Sequence, residues 1–190
     1  MIPLGSWFPQ SQSFTQHFRT PPKVLKIYIS RLLLTLLLVV PTIGLAQIYV
    51  SVTVLRVSDG DTITVKSADD TFKIRVAGID APESKQSYGK ESGNALRSLL
   101  KNRSVTVSCF KIDKYQRKIC RIRTDLEKDV ALAMISSGNA WWYKEFARDQ
   151  TAIEQSLYQA TEQKARKERV GIWAEDEPVP PWEWRKQQKR

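Results

Sequence analysis

The chain has 190 residues, of which 42% are hydrophobic and 26% charged, and its formal net charge is +10. These values indicate one globular domain with additional segments, and they exclude a disordered chain or a polytopic membrane protein. The single histidine, His17, lies in a segment that we expect to be removed. Ser-His-Asp catalysis, Cys-His catalysis and histidine-ligated zinc are then excluded. The chemistry must come from carboxylates, arginine, lysine, tyrosine or a metal.

Residues 1–46 have the pattern of a leader peptide. An apolar run at residues 32–46 follows four basic residues, and small residues stand at 44 and 46. We expect cleavage after Ala46 and export of the protein, either secreted or into a periplasm. The alternative is an uncleaved segment that tethers the protein to a membrane, and we expect membrane contact only through this segment. The remaining chain keeps a net positive charge, which favours polyanionic partners.

Alternation of apolar and polar residues predicts three consecutive strands, at residues 49–58, 61–66 and 71–77. Asp59-Gly60 is a hairpin-turn dipeptide between the first two strands. Because proline does not continue a strand, Pro82 predicts a loop over residues 79–83. Two further strands are predicted at residues 104–111 and 118–123.

Helices are predicted between and after these strands. The first covers residues 88–101, and a short one begins at an Asp129 cap and ends at Gly138. A capping box opens a third at residues 151–154, which runs to about residue 169. Its apolar residues are predicted to face inward; they are Ile153, Leu157 and Ala160.

The order of these elements indicates an α+β fold. Five strands with about three helices, placed after the third and fifth strands, match a five-stranded Greek-key β-barrel of the OB type. We assign this domain to residues 47–177. Residues 178–190 are rich in proline, tryptophan and basic residues without periodicity, which predicts a tail that is either extended along the domain or partly disordered.

Three short segments concentrate polar residues where a small β domain needs none. They are D-G-D-T at residues 59–62, Arg75 five residues before D-A-P-E at 80–83, and D-K-Y-Q-R at 113–117. With these motifs in this order, the chain resembles the staphylococcal (micrococcal) nuclease, or thermonuclease-like, family. The resemblance covers about residues 49–176.

Asp61 and Asp80 are hard oxygen ligands of the kind that Ca²⁺ takes, six to eight at a time. The resemblance implies that Asp61, Asp80 and the backbone carbonyl of Ala81 hold this ion. Asp59 is interpreted as a turn-forming residue rather than a ligand. We expect no small-molecule organic cofactor.

Arg75 and Arg117 carry permanently charged, multi-donor guanidinium groups that suit a phosphoryl centre as it becomes more anionic. The resemblance assigns them this role, and Arg117 also assists the leaving group. Glu83, beside Pro82, is by the same resemblance the candidate general base for the attacking water.

Further side chains are candidates for nucleic-acid binding. The resemblance suggests that Lys114 and Tyr115 contact a terminal phosphate or the sugar, while for Lys114 a plain exposed turn is the alternative. Tyr143 is a candidate for stacking on a base, and core packing is the interpretation for the two preceding tryptophans. The basic clusters at residues 164–169 and 185–190 are interpreted as solvated faces that add at most sequence-independent attraction to phosphates.

Cys109 and Cys120 lie almost symmetrically about the turn at residues 112–117. On antiparallel partner strands they would be nearly opposite, so a disulfide is geometrically possible and an oxidising compartment would favour it. Two reduced core cysteines are the alternative.

The sequence therefore predicts an exported, Ca²⁺-dependent nuclease. It is expected to hydrolyse phosphodiester bonds in DNA and RNA with low sequence specificity, because contacts to phosphates and stacked bases carry little sequence information. By the resemblance, the break leaves 3′-phosphate and 5′-hydroxyl ends. Its partners are nucleic-acid substrates, and it is expected to be a monomer. The main alternative is a non-catalytic nucleic-acid-binding module built on the same barrel. A surface-attached adhesion or envelope protein is a third interpretation, which rests only on the leader and the basic tail.

Overall fold

The computed structural model of the protein describes residues 47–68 and 70–189. The predicted leader, including its apolar run at residues 32–46, lies outside the described residues. Within the described ranges, no helix is both long enough and apolar enough to cross a membrane.

Seven strands are present in the described part of the chain, and five of them form the fold's central barrel. In chain order they are β1 (Val50–Val57), β2 (Thr62–Ser67), β3 (Asp70–Val76), β4 (Ile79–Asp80), β5 (Val105–Ile112), β6 (Lys118–Thr124) and β7 (Trp141–Trp142). The barrel closes in the order β1-β2-β3-β6-β5, with every pair antiparallel except β3 and β6, which are parallel. The two short strands β4 and β7 pair with each other outside the barrel. The predicted α+β class and the five-stranded barrel are confirmed.

The described part of the chain also contains four α-helices. They are α1 (Gly89–Leu100), α2 (Val130–Ser136), α3 (Ala152–Lys167) and α4 (Pro181–Gln187), with 3₁₀ helices at Lys144–Asp149 and Gly171–Ala174. The side chain of Asp129 caps α2 by accepting a hydrogen bond from the backbone N–H of Leu132, as its sequence predicts.

The hydrophobic core lies where the barrel strands meet the first helices. Inward positions of β2 and β3 are fully buried, among them Ile63, Val65 and Ile74. Leu96 of α1 and Met134 of α2 are also fully buried in the same cluster. The helices therefore pack on the barrel through the apolar faces that their sequences indicate.

Helix α3 begins with the predicted capping box but buries a different face. Ile153 and Leu157 are 80% and 47% exposed, and Ala160 is also exposed, so the prediction that these three residues point inward is wrong. The buried side chains are Tyr158, Glu162 and Ala165. Tyr158 donates a hydrogen bond to Asp129 (2.7 Å), and the Glu162 carboxylate accepts one from the Trp142 backbone N–H (3.1 Å). Polar contacts, rather than apolar periodicity, therefore set the orientation of this helix.

The central part of the tail after residue 177 forms α4, so the predicted extended or disordered conformation is wrong there, while the predicted position along the domain agrees with the structure. Pro181 stands at the first position of this helix, where its fixed φ and missing N–H are tolerated. Pro181 is buried, and Trp182 lies edge-on to Trp141 at 6.5 Å between ring centroids. This segment therefore packs against the domain.

Candidate active site

The turn between β1 and β2 carries the first acidic residue of the candidate site. The Asp59 carboxylate accepts a hydrogen bond from the Asp61 backbone N–H (3.0 Å), which fixes the turn as the sequence predicts. A side chain at Gly60 would collide with Ser92 Oγ and the Ala81 Cβ, so glycine is required there. The turn is thus pressed against the loop that carries the second acidic residue.

Asp61 and Asp80 are buried side by side at one end of the barrel. Asp61 Oδ2 accepts a hydrogen bond from the Ala81 backbone N–H (2.8 Å), which connects the D-G-D-T turn to the D-A-P-E loop. Asp80 lies in β4, which is anchored by its pairing with β7, and is only 1% exposed. The predicted metal ligands Asp61, Asp80 and Ala81 are therefore brought together.

Arg75 of β3 bridges the two carboxylates. Its Nη2 lies 2.8 Å from Asp80 Oδ1 and 3.2 Å from Asp61 Oδ2. Its Nη1 donates to the backbone carbonyl of Val76 (2.9 Å), which holds the guanidinium in place. Because one nitrogen reaches both carboxylates, their oxygens converge on a common region.

Burying ionised carboxylates together costs free energy unless positive charge lies nearby. Burial raises the pKa of Asp80 to about 6, with the Arg75 guanidinium opposing the shift and Asp61 adding to it. Burial also raises the pKa of Asp59 to about 7, and the neighbouring Asp61 adds to that shift. The cluster therefore favours a cation.

Arg117 enters from the hairpin between β5 and β6. Its Nε and Nη2 each lie 2.8 Å from Asp113 Oδ2, and its Nη1 donates to Thr62 Oγ1 (3.2 Å). Thr62 Oγ1 in turn donates to Asp61 Oδ1 (3.0 Å). Arg117 is thus linked through one hydroxyl to the acidic pair, although 55 residues separate it from Thr62.

Asp113 fixes the orientation of the Arg117 side chain. Partial burial works to raise the pKa of Asp113, but hydrogen bonds from Arg117 and from the Tyr115 backbone N–H outweigh it and hold this pKa below its ordinary value. The hairpin turn contains Gln116 in the left-handed region (φ 62°), a conformation that glycine adopts more easily.

Glu83 lies in the loop that follows Asp80. Its backbone N–H donates to Gln86 Oε1 (3.2 Å), and its carboxylate Oε1 lies 2.9 Å from Arg185 Nη1. The predicted general base thus lies next to the acidic pair, and it is paired with an arginine whose cluster is predicted from the sequence to be a solvated face.

Arg185 of α4 contacts the centre of the site. Its Nη2 lies 2.8 Å from Asp80 Oδ2, and its Nη1 lies 3.2 Å from Asp80 Oδ1. The interpretation of residues 185–190 as a solvated face is therefore wrong for Arg185. A usable signal was present in the sequence, because two prolines before a Trp-x-x-Arg spacing indicate a helix start with both side chains on one face.

The predicted nucleic-acid contacts occupy two places. Lys114 and Tyr115 are exposed on the Arg117 hairpin, with Lys114 Nζ 5.2 Å from the Tyr115 ring centroid and Arg117 at 5.4 Å. Tyr143 follows β7 and is half-buried, and its ring lies 5.6 Å from that of Trp182. Burial and the hydrogen bond to Glu145 raise the pKa of Tyr143 to about 12. Trp141 and Trp142 are buried, as expected of core residues.

Cys109 and Cys120 form a disulfide with an Sγ–Sγ distance of 2.06 Å. They are direct partners in the antiparallel pairing of β5 and β6, and a register shift follows on the turn side. The bridge thus connects the two strands that present Arg117. The bridged form, rather than two reduced cysteines, is therefore a prediction that the thiol content of the purified protein tests.

The donor set at the acidic pair fits a hard divalent cation. Two buried carboxylates converge beside the backbone of Ala81, and oxygen ligands of this kind suit Ca²⁺. Among the described residues, no three His, Cys, Asp or Glu side chains are grouped so as to hold a metal by themselves.

The fold and this site define the class of protein: a small α+β barrel with converging carboxylates and guanidinium groups at one end. The family described as "Staphylococcal nuclease homologue" matches residues 73–175. The chain belongs to the staphylococcal nuclease family, and the coarse assignment as a nuclease follows from that membership.

Curated relatives agree with this assignment. An "Uncharacterized endonuclease" of Escherichia coli is 36% identical over 70% of this chain and 82% of its own length. A protein of Haemophilus influenzae with the same description is 32% identical over 72% of this chain and 73% of its own length. A "Micrococcal nuclease" of Shigella flexneri is 31% identical over 72% and 80%.

The disulfide predicts a defined thiol content. Full-length protein purified without reductant and unfolded in guanidinium should show no thiol that reacts with Ellman's reagent, because both cysteines are paired. After reduction it should show two, which serves as the internal control. Two reactive thiols before reduction would contradict the bridge.

Proposed function

We propose that the protein is a calcium-dependent nuclease that hydrolyses phosphodiester bonds of DNA and RNA with low sequence specificity. The observation that carries the proposal is the convergence of Asp61 and Asp80 on Arg75, with Arg117 joined to the same pair through Thr62. A module that only binds a polyanion has no need of buried carboxylates at this place.

Asp61, Asp80 and the carbonyl of Ala81 would hold the calcium ion. When bound, the ion would supply positive charge that offsets the negative charge of the scissile phosphate. The short Asp61–Ala81 hydrogen bond and the pairing of β4 with β7 would keep these ligands in place.

Arg75 and Arg117 would bind the phosphate oxygens on which negative charge increases during the reaction. Glu83 would orient the attacking water and accept its proton. The water oxygen forms the new bond to phosphorus while the bond from phosphorus to the 5′ oxygen breaks. The leaving oxygen, stabilised by Arg117, takes a proton from solvent, so the products are a 3′-phosphate and a 5′-hydroxyl.

Low sequence specificity agrees with the kind of contacts available. Lys114 and the two arginines would bind phosphates. The rings of Tyr115 and Tyr143 would contact the sugar and stack on bases. Such contacts position a strand but carry little sequence information. DNA and RNA are therefore both proposed as substrates.

We also propose that the protein is exported. The leader pattern of residues 1–46 supports this, and so does the disulfide, because disulfides persist mainly in oxidising compartments.

Replacing Arg117 tests the chemistry. Arg117→Ala should lower kcat on single-stranded DNA about a thousandfold, because a donor to the charged transition state is lost. Hydrolysis of a fluorescent oligonucleotide with excess calcium measures this, and circular dichroism checks the fold.

Arg103→Ala is the matched control, since Arg103 precedes β5 at the end away from the hairpin, and it should retain activity. Full activity in Arg117→Ala would refute this assignment; DNA binding without cleavage by the unaltered protein would favour the binding module.

Replacing Asp61 tests the metal. A chelator should abolish cleavage by the unaltered protein, and Asp61→Asn should raise the calcium concentration for half-maximal activity by about tenfold or more, since a ligand charge is removed. Asp70→Asn, in an exposed residue at the start of β3, is the control and should leave the calcium response unchanged. An unchanged response in Asp61→Asn would count against Asp61 as a ligand.

Export predicts a processed chain. When the full gene is expressed in a bacterium, mass spectrometry of the exported fraction should find a product that begins at Gln47. Leu36→Arg, which places a charge in the apolar run, should block its appearance. An intact 21.8 kDa chain in the membrane fraction would instead support the tethered alternative.

A further inference from the structure

Helix α4 places a positive charge on the predicted metal ligand. Both terminal nitrogens of the Arg185 guanidinium contact the Asp80 carboxylate, Nη2 at 2.8 Å and Nη1 at 3.2 Å, and Nη1 also lies 2.9 Å from Glu83 Oε1. These partners are separated from Arg185 by more than 100 residues of sequence. The contact is therefore a tertiary feature of the fold.

The contact takes up the oxygens that a cation would need. Asp80 Oδ1 accepts from Arg75 and Arg185, and Oδ2 accepts from Arg185. A metal ion also requires a lone pair of Asp80, and its own charge would repel a guanidinium held at the same carboxylate. Arg185 and a metal ion therefore compete for the Asp80 carboxylate.

A second residue of the same helix covers a predicted substrate contact. The Trp182 ring lies 5.6 Å from that of Tyr143, with 32° between the planes. Trp182 and Arg185 are three residues apart, so they project from one face of α4. One helix face therefore meets both the candidate base-stacking residue and the candidate metal ligand.

Besides the packing of Pro181 and Trp182, two hydrogen bonds to the loop before α1 hold the segment that leads into α4. Gln86 Nε2 donates to the Val179 carbonyl (2.6 Å), and Ser87 Oγ donates to Glu175 Oε1 (2.6 Å). The Arg185 side chain is 37% exposed, so water already reaches it. A helix of seven residues has little stability of its own and depends on such packing.

We propose that Arg185 is a tethered cation that competes with the divalent metal for Asp80, and that α4 withdraws from the site when the metal binds. This rests on the proposed function, because it takes Asp80 as a metal ligand. A positioning role, in which Arg185 holds Asp80 and Glu83 ready for the metal, makes the opposite prediction. Removing Arg185 would then weaken metal binding.

Calorimetric titration of the full chain with CaCl₂, without nucleic acid, separates the two. Arg185→Gln should bind calcium about five- to tenfold more tightly than the unaltered protein, since a partly exposed competing ion pair is removed. Lys186→Gln is the matched control, because Lys186 is exposed on the same helix and pairs only with Glu183 among the described salt bridges, and it should bind calcium unchanged. Equal or weaker binding by Arg185→Gln would overturn the proposal.

Hydrogen exchange gives a second readout that does not depend on a variant. In the unaltered protein, calcium should increase amide exchange in peptides from residues 178–189, because α4 loses its anchor. Unchanged or slower exchange would contradict withdrawal.

Should Arg185→Gln fail to fold, Arg185→Lys keeps the charge without the two-nitrogen contact and should bind calcium with intermediate affinity.

These outcomes are distinguishable from failure of the proposed function. Calcium-dependent cleavage with unaltered affinity in Arg185→Gln would overturn the competition alone. Absence of calcium binding in every protein would overturn both the competition and the calcium requirement. Loss of cleavage in Arg117→Ala would still support the nuclease chemistry.

Discussion

Two buried carboxylates, Asp61 and Asp80, set the requirement that the rest of the site meets. Ionised groups of like charge are costly to place together away from water, and only nearby positive charge makes the arrangement tolerable. Arg75 supplies it from the barrel wall, and Arg185 supplies it from the last helix. The same requirement makes a hard divalent cation a chemically suitable partner for the pair.

Much of the fold could be predicted because local rules and tertiary packing agree. Alternating strands, the Asp129 cap and the capping box at residue 151 each depend on neighbours in the sequence. The inward face of α3 could not be predicted from apolar spacing, since Tyr158 and Glu162 are buried through hydrogen bonds to distant partners. The parallel pairing of β3 with β6, which closes the barrel, is likewise a long-range feature.

The candidate site divides in the same way. Asp61, Asp80 and Glu83 stand in short motifs whose residue types indicate their chemistry, and the structure brings them together with the two predicted arginines. The spacing around Arg185 indicates a helix start, but it does not reveal the partners of Arg185, which lie more than 100 residues away in the sequence. A tail rich in proline and tryptophan lacks the periodicity that reveals a longer helix. That one face of α4 both packs through Trp182 and forms ion pairs through Arg185 could be seen only in the structure.

Helix α4 lies beyond residue 175, where the match to the family ends. A protein trimmed to that boundary would keep every barrel strand and all the residues of the family's motifs, yet Asp80 and Glu83 would lose a shared counter-charge. Comparisons of ion affinity among relatives therefore need to consider the segment after the common domain as well as the domain itself. In this protein, part of the positive charge at the candidate site comes from a helix that lies beyond the family match.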